Sequence, residues 1–330
     1  MVRIVDVAAE AGVSPSTVSH VLSGKRPISE ATRERVLEAV RRLNYVPNPA
    51  AQALRERSAS AIGFYGSDIS ETFVARNIRG VERVARHAGY HLLFASGIEF
   101  DYDVGRALDF LHSRRLDGII LAFAFNETEP IPFPRGLDCP VVTINRAVPE
   151  GYHSVLPDNR RGGYEAGRHL LESGATRIGF IGGPPNRPAS SERQLGLARA
   201  LEEHGLALEE RRVYLGDYSQ GSGVIGLRRL LEADPGIDGV FCVNDFTAAG
   251  AINAATQLGR RVPEELKVLG YDDRDFAEFW PVPISTFSYP LEEMGQYSAE
   301  LLLSLMRGDS LPELTHYIPS TLVRRRSTAS

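Results

Sequence analysis

Cysteine, long apolar runs and catalytic signatures are all scarce in this chain, and each scarcity removes a class of protein. Only two cysteines occur in 330 residues, Cys139 in CPVVTI and Cys242 in GVFCVND. Two isolated thiols inside apolar runs make neither a disulfide framework nor a metal-ligand spacing, and they suit a reducing compartment. Nowhere do 18 apolar residues run consecutively, so no membrane span is expected. The opening stretch MVRIVDVAAEAG lacks the apolar core of a secretory leader, which makes the cytoplasm the expected location. There is no G-x-S-x-G elbow, no P-loop and no G-x-G-x-x-G after a strand. His87 and His91 stand four apart, but Gly89 and Tyr90 end the helix between them, a poor arrangement for a metal pair. Neither catalysis, a cofactor nor a metal is expected.

What is present is organised in two ways. The net charge is −5, yet residues 1–60 hold nine Lys/Arg against six Asp/Glu, so this head is +3 and the remainder −8. A basic head suits a polyanion and an acidic body suits solubility, although a surplus of three charges is often no more than a solvated face. Residues 1–45 read as three short helices. Ile4, Val7, Ala8 and Ala11 recur at helical spacing and Gly12 ends the first. Ser14 caps the second and Pro15 occupies its first position, where no backbone N–H is needed. Ser29 caps the third, which carries Val36, Leu37, Val40 and Leu43 along one face. Tyr45-Val46-Pro47-Asn48-Pro49 then breaks the pattern, and Asn48 is placed to cap a short helix over 49–55.

From residue 61 short β-rich runs alternate with amphipathic helices, the grammar of parallel strands joined by crossover helices. IGFYG at 62–66 is answered by IGFIG at 178–182, and DGIILAF at 117–123 by DGVFCVN at 238–244. Repetition at this long period predicts two Rossmann-like lobes with a ligand cleft outside the carboxyl ends of their strands.

In the head, small residues Ala8 and Ala9, the turn at Gly12 and the apolar Val13 and Val18 suit two helices crossing at a tight turn. The second helix then presents Pro15, Ser16, Thr17, Ser19 and His20, short polar groups suited to a major groove. The competing reading is a packed three-helix domain that recruits a protein. IVDVAAEAGVSPSTVSHVLSGKRPISEATRERVLEAVRRLNYVPNPAAQALR resembles the head of the LacI/GalR family of bacterial repressors. The resemblance continues through VLPDNRRGGYEAGRHLLESGATRIGFIGGP, VNDFTAAGAINAATQLGRRVPEELKVLGYDD and PLEEMGQYSAELLL.

The resemblance implies an all-α helix-turn-helix head on an α/β core of periplasmic-binding-protein type. Its domains are a DNA-binding domain at 1–46, a hinge at 47–60, one lobe at 61–157 with 288–316, and another at 158–287 with 317–330. It implies a homodimeric repressor on pseudo-palindromic operator DNA. Pro15, Ser16 and His20 fall at specificity-setting positions, Asn48 belongs to the hinge and Leu54 is the wedge in the minor groove. A seven-residue helix is unstable alone, which suits a conditional hinge. No leucine heptads follow the last strand, so a tetramer is not expected.

For the body, the resemblance makes Asp245 an acceptor for a ligand's vicinal hydroxyls, with helix capping as its other reading, and Arg193 the cleft arginine. Phe73, Tyr218, Phe246 and Tyr289 lie near strand ends, and Ser67 and Asp68 after the first strand are weaker candidates. Asn145 stands where sugar-sensing relatives often carry Asp, and still offers a donor and an acceptor. The expected effector is a sugar or sugar derivative, with a nucleobase or nucleoside as the alternative; a periplasmic-type solute receptor is disfavoured by residues 1–57.

Overall fold

The computed structural model describes residues 2–23, 26–45, 60–123, 131–134, 136–148 and 152–329, in two compact units, 1–60 and 61–330. Asn48, Leu54 and the rest of the expected hinge at 47–59 lie outside the described residues.

In the first unit, α1 (Ile4–Ala11) ends at Gly12, whose φ of 62° is the left-handed conformation a residue without Cβ adopts readily. α2 (Pro15–Ser23) starts at Ser14, whose Oγ accepts the Thr17 amide at 3.2 Å. α3 (Glu30–Arg42) starts after Ser29, but the Ser29 hydroxyl donates to the Thr32 hydroxyl (2.9 Å) and accepts no amide of the first turn. Val7, Ala8, Ala11, Val18, Val36 and Ala39 form the small core, with Val13 half-buried against it. Leu37 leaves the expected stripe and is exposed: one residue beyond Val36 is a 100° turn, which carries it off the packed face.

The second unit begins with β1 (Ala61–Gly66), α4 (Thr72–His87), β2 (His91–Ser96), α5 (Val104–Ser113), β3 (Gly118–Ala122), β4 (Val141–Ile144) and β5 (His153–Pro157). It continues with α6 (Asn159–Glu172), β6 (Ile178–Gly182), α7 (Pro188–Glu202), β7 (Val213–Leu215), α8 (Gln220–Ala233), β8 (Gly239–Cys242), α9 (Asp245–Gln257) and β9 (Lys267–Leu269). Last come α10 (Asp275–Phe279), β10 (Thr286–Ser288), α11 (Leu291–Met306), β11 (Thr315–Ile318) and β12 (Thr321–Val323). One parallel sheet runs β11-β5-β4-β3-β1-β2 and a second runs β7-β6-β8-β9; β10 and β12 pair antiparallel. The chain therefore passes between lobes after β5, after β10 and after β11, and α11 returns to pack on α4 in the first lobe.

The internal repeat is visible in the register. Ile62 of β1 lies opposite Gly118, and Ile178 of β6 opposite Gly239. The aspartate before each of these glycines does the same job. Asp117 accepts the Ala61 amide at 3.1 Å, and Asp238 accepts the Thr176 and Arg177 amides at 2.8–3.0 Å, tying the start of the neighbouring strand. Strands β1, β3, β6 and β8 are covered on both faces, so their sequences are almost continuously apolar. In the second lobe Phe180, Phe241, Tyr271 and Phe287 form a ladder with ring centroids 5.5–6.4 Å apart. Full burial of each such side chain contributes about 1.5–3 kcal/mol.

Helices in both lobes pair through reciprocal glycines. A Cβ on Gly163 of α6 would stand 2.0 Å from the Arg193 carbonyl oxygen, and one on Gly196 of α7 2.0 Å from that of Arg160. Gly223 and Gly250 join α8 to α9 in the same way, and Gly80 and Gly295 join α4 to α11. Backbone meets backbone at these crossings, so helix positions are sharply defined.

Candidate functional site

Two regions carry the residues singled out above. In the head, Pro15 and Ser16 at the start of α2 are exposed, while Thr17, Ser19 and His20 are half-exposed. The Ser14 hydroxyl lies 2.8 Å from that of Ser16 and 2.9 Å from that of Thr17. A hydroxyl cluster thus surrounds the N-terminus of α2, where the helix dipole and unsatisfied amides favour an anion such as a phosphate. Ser16 and His20, four apart, project from the same helix face.

In the second unit a cavity of about 480 Å³ opens at the carboxyl ends of both sheets. Helix caps build its walls. Asn244 accepts the Thr247 amide (2.8 Å) to start α9 and donates to the Tyr218 carbonyl (3.1 Å), so one side chain orients a helix and a loop together. Ser219 and Asp158 cap α8 and α6 by accepting the Ser222 and Arg161 amides. Phe73, Asn145, Arg193, Tyr218 and Tyr289 all line this cavity, as expected of the cleft set.

Arg193 is almost fully buried. Its Nε donates to Asn159 Oδ1 at 2.9 Å and its Nη1 to the Val243 carbonyl at 2.5 Å. The guanidinium lies 3.5 Å from the Tyr271 ring centroid and 3.8 Å from Asp272 Oδ1. A buried cation is tolerable here because it is hydrogen-bonded, faced by an aromatic ring and opposed by a carboxylate. Tyr289 donates to Asn145 Oδ1 at 2.9 Å while Asn145 Nδ2 donates to the Phe123 carbonyl, also 2.9 Å away. This fixes the amide oxygen of Asn145 as the acceptor. Burial pushes the phenols of both Tyr218 and Tyr289 up from their ordinary pKa, so each presents a neutral hydroxyl.

Four expected residues fall elsewhere, among them Asp68, which accepts the Ser70 amide at 2.8 Å and does not line the cavity. Ser67 donates to Glu71 Oε2 at 2.7 Å, and it is Glu71 that reaches the cavity. Phe246 is 40% exposed and packs on Phe276, with Arg274 over its ring. Asp245 is fully buried and neither caps α9 nor lines the cavity; Asn244 does both. Successive residues at a helix start point about 100° apart, so when Asn244 faces the cavity Asp245 faces inward. There it accepts the Thr286 hydroxyl at 2.6 Å and the Arg274 amide at 2.7 Å. Burial, with the Asp272 carboxylate alongside, pushes its carboxyl up to about 7.

The carboxylates that do line the cavity include Asp272 and Asp273, directly after β9. Burial raises the Asp272 carboxyl and the adjacent Arg193 and Arg274 oppose that rise. Both residues adopt positive φ (104° and 53°), a strained conformation for side chains other than glycine. Arg76 and Arg187 also reach the cavity, and Arg76 Nη2 bonds Asp275 Oδ1 at 3.2 Å from the opposite lobe. The strand-end signal that pointed to Asn244-Asp245 applies equally to KVLGYDD, where an apolar strand runs into two aspartates. A G-x-G-x-x-G pattern is also present in letters at Gly221–Gly226, but it lies inside α8. Gly223 there admits the Thr247 backbone and Gly226 the Tyr214 ring, which is packing and not a phosphate cradle.

Among the described residues no helix is long and apolar enough to cross a membrane. Residues 3–48 match the bacterial regulatory proteins of the lacI family, and residues 168–328 match a periplasmic binding protein-like domain. The regulator GalR of Escherichia coli strain K12 is 32% identical, the alignment covering 100% of this chain and 96% of that protein. CelR of Thermobifida fusca is 35% identical over 97% of this chain and 96% of its own length. A repressor PurR from Aliivibrio salmonicida is 32% identical over 93% of each. A solved complex of a regulator CelR with cellobiose superposes with a TM-score of 0.69 at 32% identity, covering 99% of this chain and 100% of that one. The Lac repressor dimer bound to operator and the anti-inducer ONPF does so with a TM-score of 0.82 at 25% identity, covering 100% and 99%. With a helix-turn-helix head, a two-lobed binding core and relatives aligned from end to end, this chain belongs to the LacI/GalR family of transcriptional regulators.

Proposed function

We propose that this regulator is a homodimeric, cytoplasmic repressor whose operator affinity is set by a sugar or sugar derivative held in the cavity between its lobes. The carrying observation is the composition of the cavity wall. Asp272, Asn145 and the buried Arg193 supply acceptors and a donor within one space, and Phe73, Tyr218 and Tyr289 supply aromatic rings. Vicinal hydroxyls match the polar set, and the apolar face of a pyranose matches the rings. The name of the CelR–cellobiose complex supports a sugar. The PurR relatives keep a nucleobase in view, since flat rings also stack on aromatics. Asp272 replaces Asp245 as the hydroxyl acceptor in this reading.

In the same reading Pro15, Ser16, Thr17, Ser19 and His20 meet the operator, with Asn48 and Leu54 in the hinge. Two heads on one dimer imply a pseudo-palindromic site. An effector changes DNA affinity only through different affinities for the two lobe arrangements.

A thermal-shift screen with sugars, sugar phosphates and purines tests the effector. A ligand present at 100 times its Kd stabilises the folded chain by about 2.7 kcal/mol. A sugar that stabilises the chain, and a deoxy analogue that does not, supports the reading; stabilisation by purines alone overturns it. Removing residues 1–57 is expected to abolish operator binding and preserve effector binding. Operator binding by that truncated chain would refute the assignment of the head.

A further inference from the structure

The strained Asp272-Asp273 pair is held from behind by the last residues of the chain. Ser327 and Thr328 are fully buried or nearly so. The Ser327 hydroxyl donates to the Val268 carbonyl in β9 (2.6 Å) and accepts the Ser285 amide (2.8 Å). The Thr328 hydroxyl donates to the Ser285 hydroxyl at 2.7 Å and lies 2.8 Å from His169 Nε2 on α6. Ser285 in turn grips Arg325, donating to its carbonyl and accepting its amide, both at 2.8 Å. Arg325 spreads its guanidinium between two acceptors, the Ile284 carbonyl (3.0 Å) and Asp273 Oδ1 (2.8 Å). Its side chain is only 16% exposed, so this ion pair is poorly screened. A chain of short hydrogen bonds therefore runs from α6, through residues 325–328, to a carboxylate in the cavity wall.

We infer that Arg325 is a positioning residue for effector binding, fixing Asp273 so that Asp272 and Arg274 face the cavity in a defined arrangement. The physical reason is the backbone. Two consecutive non-glycine residues at positive φ persist only where surrounding contacts over-determine them. Those contacts are the Asp272 amide on the Phe287 carbonyl, the Asp273 amide on the Thr286 hydroxyl, the Arg274 amide on Asp245, and Arg325 on the Asp273 side chain. Arg325 alone among these partners comes from residues 325–328, and its planar fork aims two N–H groups at the two acceptors in a fixed geometry that lysine's flexible point charge lacks. The inference rests on the effector reading for its consequence in affinity, but the loop geometry it predicts exists without ligand.

The test uses the full-length protein and its Arg325→Gln and Arg325→Lys variants. Hydrogen exchange of the ligand-free proteins is followed at the amides of Asp273 and Arg274, with cellobiose and galactose titrated in parallel. Arg325→Gln is expected to speed exchange at those amides at least tenfold and to weaken a bound sugar at least tenfold, with Arg325→Lys recovering only part of either. Exchange in β1 and β3 stays unchanged, which separates local loosening from global loss of stability. In an Asp273→Asn background the Arg325→Gln substitution is expected to have a smaller further effect than in the wild type. Unchanged loop exchange in Arg325→Gln, or effects that add fully to those of Asp273→Asn, overturns the inference. If neither sugar binds the wild-type protein, neither is its effector, while the exchange measurement still decides the role of Arg325. If Arg325→Gln does not fold, Asp273→Asn removes the charge at the other end of the same ion pair and is read in the same exchange experiment.

Discussion

Replacing Gly196 by alanine adds one methyl where two helices touch through their backbones. The new Cβ would stand 2.0 Å from the Arg160 carbonyl oxygen and 2.6 Å from the Tyr164 nitrogen, against the 3.4 Å at which ordinary contact begins. Neither neighbour is a side-chain end that can swing away, so α6 and α7 must part by 1.4 Å at that point if the shift is purely radial. A gap of 0.5–1 Å already forfeits about a quarter to a half of each dispersion contact, and Ala166, Leu197 and Leu201 sit beside this seam. Overpacking of this kind costs about 1–3 kcal/mol, offset by up to about 1 kcal/mol because alanine favours a helix over glycine. With the full offset, a net loss of up to about 2 kcal/mol follows. Gly221, also in a helix, has only the Ser219 hydroxyl at 3.5 Å near its added Cβ, so Gly221→Ala is expected to stabilise by up to about 1 kcal/mol. Urea unfolding of both variants, compared by midpoint at equal slope, measures the difference. Arg193 lies one turn before Gly196, so the same variant also moves the cavity arginine and weakens effector binding about tenfold. If Gly196→Ala proves as stable as Gly221→Ala and binds effector like the wild type, the close-approach argument is wrong.

Asp245→Asn tests the buried carboxyl. The folded chain holds that proton up to about pH 7 whereas the unfolded chain releases it near 3.9, so this group makes stability fall as pH rises between those values, by about 1.4 kcal/mol per pH unit. Asparagine, which can accept from the Arg274 amide and donate to Thr286, should flatten that slope in urea titrations from pH 4 to 7; an unchanged slope excludes Asp245 as its source. Ser14→Ala removes the acceptor for the Thr17 amide and should cost the head about 1 kcal/mol, seen as weaker operator binding with the melting of residues 61–330 unaltered. Arg193→Lys keeps the charge but loses the fork that serves Asn159 and Val243 together, and calorimetry should find effector affinity at least tenfold lower; wild-type affinity would remove Arg193 from the site.

Much of the architecture was legible without coordinates because it rests on short-range rules. Gly12, Ser14 and Pro15 mark where one helix stops and the next begins through backbone conformation and capping, which are properties of a few adjacent residues. The repeated IGF and DG segments announced two similar lobes because buried parallel strands must be apolar on both faces. Aromatic residues at strand ends were legible by position and Arg193 and Asn145 through the family resemblance, and five of the nine residues named line the cavity.

Which neighbour at a strand end faces the cavity was decided only by packing. Asn244 and Asp245 are equally polar in the sequence, but a rotation of about 100° sends one into the cavity and the other under Thr286 and the Arg274 amide. Ser67 and Phe246 were turned aside by Glu71 and by the Phe276 and Arg274 side chains, partners set by local geometry and not by residue type. Asp273 and Arg325 are separated by 52 residues yet bonded at 2.8 Å. The sequence by itself determined the helical head and the two-lobed α/β core, because those depend on periodicity, caps and turns, and it carried the family through the resemblance of its motifs. The tertiary structure decided which carboxylates form the cavity wall and what holds them there, because a side chain's direction depends on contacts from distant parts of the chain.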